Sequence, residues 1–160
     1  MIEMAGYLMN TPYDLTLLGR MTDSYRLLTG KELSPKAMPS EEAARWLYEE
    51  APFGLLAHNT DADPRFIYGN RVAQRWFGYS WDELIGMPSR LSAEAPEREE
   101  RKRFLDLVAR HGFVSGYRGL RIAKSGQKFW IEDATVWQFR DAAGQIQGQA
   151  AWLPLKVECE

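Results

Sequence analysis

The chain has 160 residues, 45% hydrophobic and 26% charged, a balance that suits one globular domain and excludes a disordered polymer. Twenty basic and 22 acidic side chains give a net charge of -2, so no electrostatic footprint points to nucleic acid. The single cysteine, Cys159, excludes an internal disulfide framework, a cysteine zinc cluster and an iron–sulfur site. Six tryptophans, seven tyrosines and seven phenylalanines are a heavy aromatic load and call for a pocket or an interface. Residues 1–10 mix Glu3 with apolar side chains and have no basic start, unlike a signal peptide. No apolar run approaches the ~20 residues needed to span a bilayer, so no membrane partner and a cytoplasmic location are expected.

In chain order, Leu15, Leu18, Met21, Tyr25 and Leu28 fall on one helical stripe, with Thr11 as the expected cap, Pro12 at the first position and Gly30 as the stop. Residues 31–40 hold two prolines and read as a loop. A second helix starts at Ser40, places Glu41 and Glu42 at its positive end, turns Ala44, Leu47 and Tyr48 inward and ends at Pro52. The period then changes. Residues 53–57 and 66–68 predict a hairpin around a polar turn. Asn70 caps a helix carrying Val72, Ala73, Trp76 and Phe77, stopped by Gly78. Ser80 and Glu83 form a capping box for a one-turn helix that ends before Gly86 and Pro88.

Residues 96–111 predict the longest helix, with Phe104, Leu105, Leu107 and Val108 apolar and Arg110 and His111 at its negative end. Glu97/Arg101 and Glu99/Arg103 sit four apart and read as ion pairs on a solvated face. Residues 114–123, 128–139 and 146–153 predict three long antiparallel strands joined by Gly-containing turns. His58, Asp61 and Asp63 could hold a metal, but Asn59, Asp61 and Asp63 are ordinary turn residues and no metal site is assigned. No nucleophile elbow, phosphate-binding loop or zinc-protease motif occurs, and no catalytic residue is assigned.

Two strands, several short helices, one longer helix and three long strands resemble a PAS domain. The local carriers are residues 66–70, 76–80 and 82–86, with the sheet turns at 124–126 and 141–144. More closely, residues 63–152 resemble the MEKHLA domain, a PAS-like family found in small bacterial proteins and at the C-terminus of some plant homeodomain–leucine-zipper transcription factors. Arg71, the run 79–84, residues 88–91, 97–101, Arg121-Ile122 and 131–134 carry this resemblance. It implies an α+β, PAS-like fold: a five-stranded antiparallel sheet, inserted helices on one face and an N-terminal helical cap. The expected division is a helical extension over 1–50, the PAS-like MEKHLA domain over 51–156 and a tail over 157–160.

Strict period two along the strands, matched to flavin-binding PAS domains, turns Arg121, Ile131, Asp133 and Thr135 inward, with Gln149, Ala151 and Leu153 on the same face. Trp130, Glu132, Ala134 and Val136 then face away. Arg121 and Asp133 would be a structural ion pair, or a site for a polar ligand with Arg121 as a clamp. The candidate pocket is Arg121, Asp133, Ile131, Thr135, Gln149 and Leu153. The candidate interface, formed by the N-terminal helix over the outer sheet, is Leu15, Leu18, Met21, Tyr25, Leu28 and Trp130. Packing alone is the competing explanation of Trp76 and Trp130. Ser89 stands where the flavin-adduct class has its reactive cysteine, and neither His58 nor His111 is placed as a haem ligand, so no cofactor is assigned. The resemblance implies a stand-alone sensory or binding module for a small polar or acidic ligand, signalling through its N-terminal helices or a partner. The alternative is a ligand-free protein-interaction or dimerisation domain, and the third reading is an uncharacterised enzyme.

Overall fold

The computed structural model describes residues 11–159, apart from the side chains of residues 95–97. The readings of residues 1–10 and of the Glu97/Arg101 pair lie outside the described residues. Helix α1 spans Leu15–Thr29 and α2 Ser40–Glu49. Strands β1 (Gly54–His58) and β2 (Phe66–Gly69) come next, then α3 (Arg71–Phe77), α4 (Trp81–Leu84), a 3-10 turn at Ser89–Ser92 and α5 (Ala95–His111). Strands β3 (Phe113–Ile122), β4 (Lys128–Arg140), β5 (Ile146–Leu153) and β6 (Leu155–Glu158) complete the chain.

The sheet is antiparallel in the order β2-β1-β5-β4-β3. Strand β6 pairs with β4 beside β5, after the break at Pro154. The expected five strands are therefore present. The sixth prolongs the fifth and carries the sheet through Glu158, past the expected boundary at 156.

Local chemistry explains most boundaries. Asp14, not Thr11, caps α1: its carboxylate accepts from Leu17 N at 3.1 Å, and Gly30 closes the helix at φ 75. The Ser80/Glu83 capping box forms, and Glu83 also pairs with Lys124 of the β3–β4 turn. Asn70 caps α3 and does more. Its Oδ1 accepts from Leu55 N (3.0 Å) and Ala73 N (3.1 Å), while its Nδ2 donates to Leu47 O (3.0 Å) and Phe53 O (2.9 Å). One fully buried amide thus ties α2, β1 and α3 together with its full side-chain capacity used.

Each sheet face has its own core. On the outer face, Leu17, Leu18, Met21 and Tyr25 of α1 and Leu47 and Tyr48 of α2 cluster with Leu55, Tyr68, Trp137 and Phe139. Trp137 is fully buried, donates from Nε1 to Met21 O at 3.0 Å and packs against Tyr25 at 4.6 Å. On the inner face, Leu56, Phe66, Phe77, Leu84, Phe129, Ile131, Ala134 and Leu153 form one cluster, and Phe104 and Val108 of α5 meet Val136 in another.

The strict alternation expected of β4 fails at Asp133. Glu132 and Asp133 together oppose Arg118 on β3, and Asp133 takes φ 57. This bulge inserts one residue and swaps the two faces downstream. Ala134 and Val136 consequently turn inward, while Thr135 leaves the inner face and bonds Ser115 at 3.2 Å. A second bulge compensates on β3: Ser115 and Gly116 oppose Thr135, with Gly116 at φ 70. Pairing on either side of the two bulges is therefore in the same register. The bulge also sets what α1 covers, which is Trp137 and Phe139 rather than Trp130. Trp130 lies under the Arg118 guanidinium, 3.6 Å from the ring centroid, with Arg118 held by Glu132 at 2.8 Å.

Asn70→Asp removes both amide donors, leaves Leu47 O and Phe53 O unpaired and buries a carboxylate. Each orphaned buried group costs about 1–3 kcal/mol. A loss of roughly 3 kcal/mol or more at neutral pH is expected in urea unfolding, and an unchanged midpoint would contradict the hub role.

Candidate functional site

A cavity of about 60 Å³ lies between the inner sheet face and α5. Its apolar wall includes Leu56, Phe66, Phe77, Phe104, Ile131, Val136 and Leu153. Its polar groups come from five elements: His58 on β1, Ser92 on the 3-10 turn, Arg101 on α5, Tyr117 and Arg121 on β3, and Gln149 on β5. His58, Arg101, Leu105 and Gln149 are shared with a wider outer cleft of about 480 Å³, bounded by the β1–β2 turn, the 3-10 turn and α5.

Arg121 is 8% exposed. It donates to Leu120 O at 2.8 Å and to Tyr117 Oη at 3.0 Å. Tyr117 and Arg121 sit two alternations apart, with Gly119 between them on the same face. A Cβ at Gly119 would lie 2.5 Å from Tyr117 Oη, so glycine makes room for the phenol to lie along the strand. The Tyr117 ring also stacks on Phe104 of α5, centroids 3.7 Å apart, which fixes the phenol from above.

Arg101 reaches inward from α5 and is close enough to Arg121 to feel its charge. Burial, then repulsion by Arg121, lower its pKa to about 10. Among the described residues no hydrogen bond or ion pair of Arg101 is formed, and no carboxylate lines the enclosed cavity.

His58 is buried at 9% exposure, and its ring sits on the inner face because it is two residues beyond Leu56. Nδ1 lies 2.9 Å from Asn59 O, a carbonyl that can only accept, so Nδ1 carries the proton. Burial is the main cause that lowers its pKa to about 4, with the Arg101 charge acting in the same direction. Neutral His58 therefore presents a bare Nε2 lone pair, and Nε2 has no partner. Gln149 faces it across the β1–β5 ladder. Its amide nitrogen donates to Leu105 O at 3.3 Å, leaving Oε1 buried and unpaired. The fully buried Ser89 hydroxyl, on the outer cleft wall, is unpaired as well.

A sheet with an N-terminal cap on one face and a small cavity under inserted helices on the other is now defined in sequence and in space. The profile of the MEKHLA domain matches residues 15–155. The chain belongs to the MEKHLA domain family. No curated protein sequence matches it. Solved structures agree on the fold. The PAS domain of a Colwellia psychrerythraea protein aligns with a TM-score of 0.55 at 16% identity, over 68% of this chain and 86% of that one. An RNA-binding Light-Oxygen-Voltage receptor aligns at 0.62 and 22% identity, over 80% of this chain and 35% of the receptor. The blue-light activated histidine kinase EL346 of Erythrobacter litoralis aligns at 0.55 and 19% identity, over 67% of this chain and 33% of the kinase. The chain spans about a third of the length of these two larger proteins. The chain thus has a PAS-like fold.

The predicted pocket residues divide. Arg121, Ile131, Gln149 and Leu153 line the cavity. Asp133 and Thr135 do not, because the bulge at Asp133 exposes its carboxylate and carries Thr135 to the other side. The expected Arg121–Asp133 pair does not form, and Arg121 uses Tyr117 and a carbonyl instead. Of the predicted interface, Leu18, Met21 and Tyr25 are buried within the chain, Leu28 is partly buried, Leu15 is 42% exposed and Trp130 stands apart beneath Arg118. The polar turn after β1 is organised by Asn59 Oδ1, which accepts from Asp61 N and Arg65 N, while Asp63 pairs with Arg90 at 3.2 Å. No metal-ligating cluster of three occurs among the described residues. His111 is exposed at the end of α5.

Arg101 does not lie on the solvated helix face that its charged neighbours suggest. Its spacing holds the signal: residues 101, 104, 105 and 108 share one helical stripe, which is the apolar face of α5. His58 carries a similar signal, since it continues the alternation of Leu56.

Two measurements test this site. Between pH 6.5 and about 4 the unfolded chain protonates His58 while the folded chain holds it neutral, so its contribution is complete above pH 6.5 and declines as pH falls through that window. At about 1.4 kcal/mol per unit of pKa difference the full effect is at most roughly 3 kcal/mol. Urea midpoints measured from pH 7 to 4.5 should fall more for wild type than for His58→Gln; equal slopes would refute the assignment. Gly119→Ala would press its Cβ onto the Tyr117 ring, which is also stacked on Phe104, so Tyr117 should shift off Arg121 and the urea midpoint should fall. An unchanged Tyr117–Arg121 contact in a crystal structure of that variant would count against the packing argument.

Proposed function

We propose that this MEKHLA domain is a sensory module that takes a small polar ligand into the cavity between the inner sheet face and α5, and reads occupancy through β4 into the N-terminal cap. The observation that carries the reading is the pair of buried, unpartnered polar atoms, His58 Nε2 and Gln149 Oε1, on side chains that line the cavity together with Arg101, Tyr117, Arg121 and a largely apolar wall. Native proteins seldom leave such atoms without a partner unless a ligand or water completes them.

The route outward is short. Val136 lines the cavity, and its neighbour Trp137 lies on the opposite face, bonded to Met21 O of α1. A ligand that displaces Val136 would tilt Trp137 and move α1. This mechanism needs no flavin. Ser89 offers a hydroxyl where adduct chemistry needs a thiol.

A second reading, an interaction or dimerisation domain, is favoured by a different feature. Leu155 (52% exposed) and Val157 (40%) pair in register with Glu132 and Trp130 on the outer sheet face, beyond the part that α1 covers.

Native mass spectrometry of protein purified from its own source, set against the denatured chain, separates the two. The expected result is an added small-molecule mass lost on denaturation and absent from Val136→Phe, which fills the cavity. A ligand-free dimer in both proteins would favour the interaction reading.

A further inference from the structure

The cavity contains more chemical information than its polarity. Its two arginines, Arg101 from α5 and Arg121 from β3, lie close enough to repel each other, with no carboxylate on the cavity wall among the described residues. Two guanidinium ions on one partly desolvated, largely apolar wall favour an anion between them, and guanidinium geometry suits a planar carboxylate. Opposite them, His58 Nε2 and Gln149 Oε1 are neighbours across the β1–β5 ladder. Both are acceptors, since the proton on His58 is at Nδ1 and the Gln149 amide nitrogen is committed to Leu105 O. Two acceptors cannot satisfy each other. They require a hydroxyl or N–H from outside the protein.

Resting on the ligand-binding reading of the same cavity, we infer that the ligand is a small carboxylic acid bearing a hydroxyl or N–H group, its carboxylate held by Arg101 and Arg121 and its donor turned to His58 Nε2 and Gln149 Oε1. The size agrees. On the scale at which one water needs about 10–15 Å³, the enclosed volume of about 60 Å³ holds only a few heavy-atom groups. The short carbon body would contact Ile131, Val136 and Leu153, and any longer part would extend past Leu105 into the outer cleft. A carboxylate is favoured over inorganic phosphate because the wall beside the guanidiniums is largely apolar and suits a short carbon body, which phosphate lacks.

The test is isothermal titration of the full chain, freed of bound ligand by unfolding and refolding, with glycolate, lactate and 3-hydroxybutyrate, and with inorganic phosphate. At least one hydroxy acid should bind at 1:1. Its primary amide should bind at least tenfold more weakly, and the same acid without its hydroxyl several-fold more weakly. Arg101→Gln and Arg121→Gln should each weaken the acid at least tenfold while leaving the amide unaffected. Arg101→Lys, which keeps the charge, should recover part of the loss and guards against a variant that merely misfolds. The proposal is overturned if no acid binds, if acid and amide bind alike, if the arginine variants bind the acid normally, or if phosphate alone binds. Equal binding of acid and amide, abolished by Val136→Phe, would leave the cavity reading standing and refute only the charge. No binding by any probe, together with a ligand-free native mass, would sink both.

Discussion

The side chain of Asn70 is the point on which the architecture turns. Its amide receives and gives two hydrogen bonds each, to the end of α2, the loop before β1, β1 itself and the first turn of α3. These backbone groups lie near the ends of α2, β1 and α3 and in the loop between α2 and β1, where ladder partners run out. A buried peptide group without a partner costs enough to open such a junction. With Asn70 in place, the N-terminal cap, the hairpin and the inserted helices become one body. The outer core over Trp137 and the inner core over Ile131 can then be held at fixed distances on the two faces of one sheet.

That two-faced sheet is what gives the cavity a use. Burial of Trp137 beneath α1 and exposure of Val136 to the cavity are consequences of adjacent residues on a pleated strand. In the proposed sensory reading a small event on one face is to be felt on the other, and β4 is the strand that touches both Val136's cavity and the α1 cap. The paired bulges at Asp133 and Gly116 are part of the same arrangement. One alone would shift the β3–β4 register. Together they restore it while exchanging inward and outward residues between the two halves of the strand pair. The first half keeps Arg121 and Ile131 at the cavity, and the second delivers Trp137 to the cap.

The electrostatics of the cavity differ from those of the surface. Outside, ion pairs such as Arg90–Asp63 and Arg118–Glu132 are exposed and screened, and contribute little beyond local order. Inside, Arg101, Arg121 and neutral His58 are grouped in a largely apolar space. Desolvation there magnifies every unmatched charge and every unpaired lone pair. A filled core would have placed aliphatic side chains at these positions.

Element by element, the amino-acid sequence by itself determined the helices, five of the six strands and most of the caps, because those depend on neighbours within a few residues; the Asp14 cap and β6 were not legible there. The Ser80/Glu83 box, the Gly30 and Gly78 stops, the β1–β2 hairpin and the three long strands are all local events of this kind. Order and composition were enough to suggest the family, and Arg121, Ile131, Gln149 and Leu153 were legible as cavity residues because simple alternation holds where they sit. Tertiary structure alone decided the rest. Nothing local announces that Asp133 will adopt a positive φ, since the bulge is settled by pairing with a strand on the far side of a turn. That one backbone rotation removed Asp133 and Thr135 from the site and reassigned the cover of α1 from Trp130 to Trp137. Arg101 was hidden for a related reason. Its neighbours in sequence are acids and bases, but its neighbours in space are Arg121 and an apolar cavity, and only packing of α5 on the sheet brings these together.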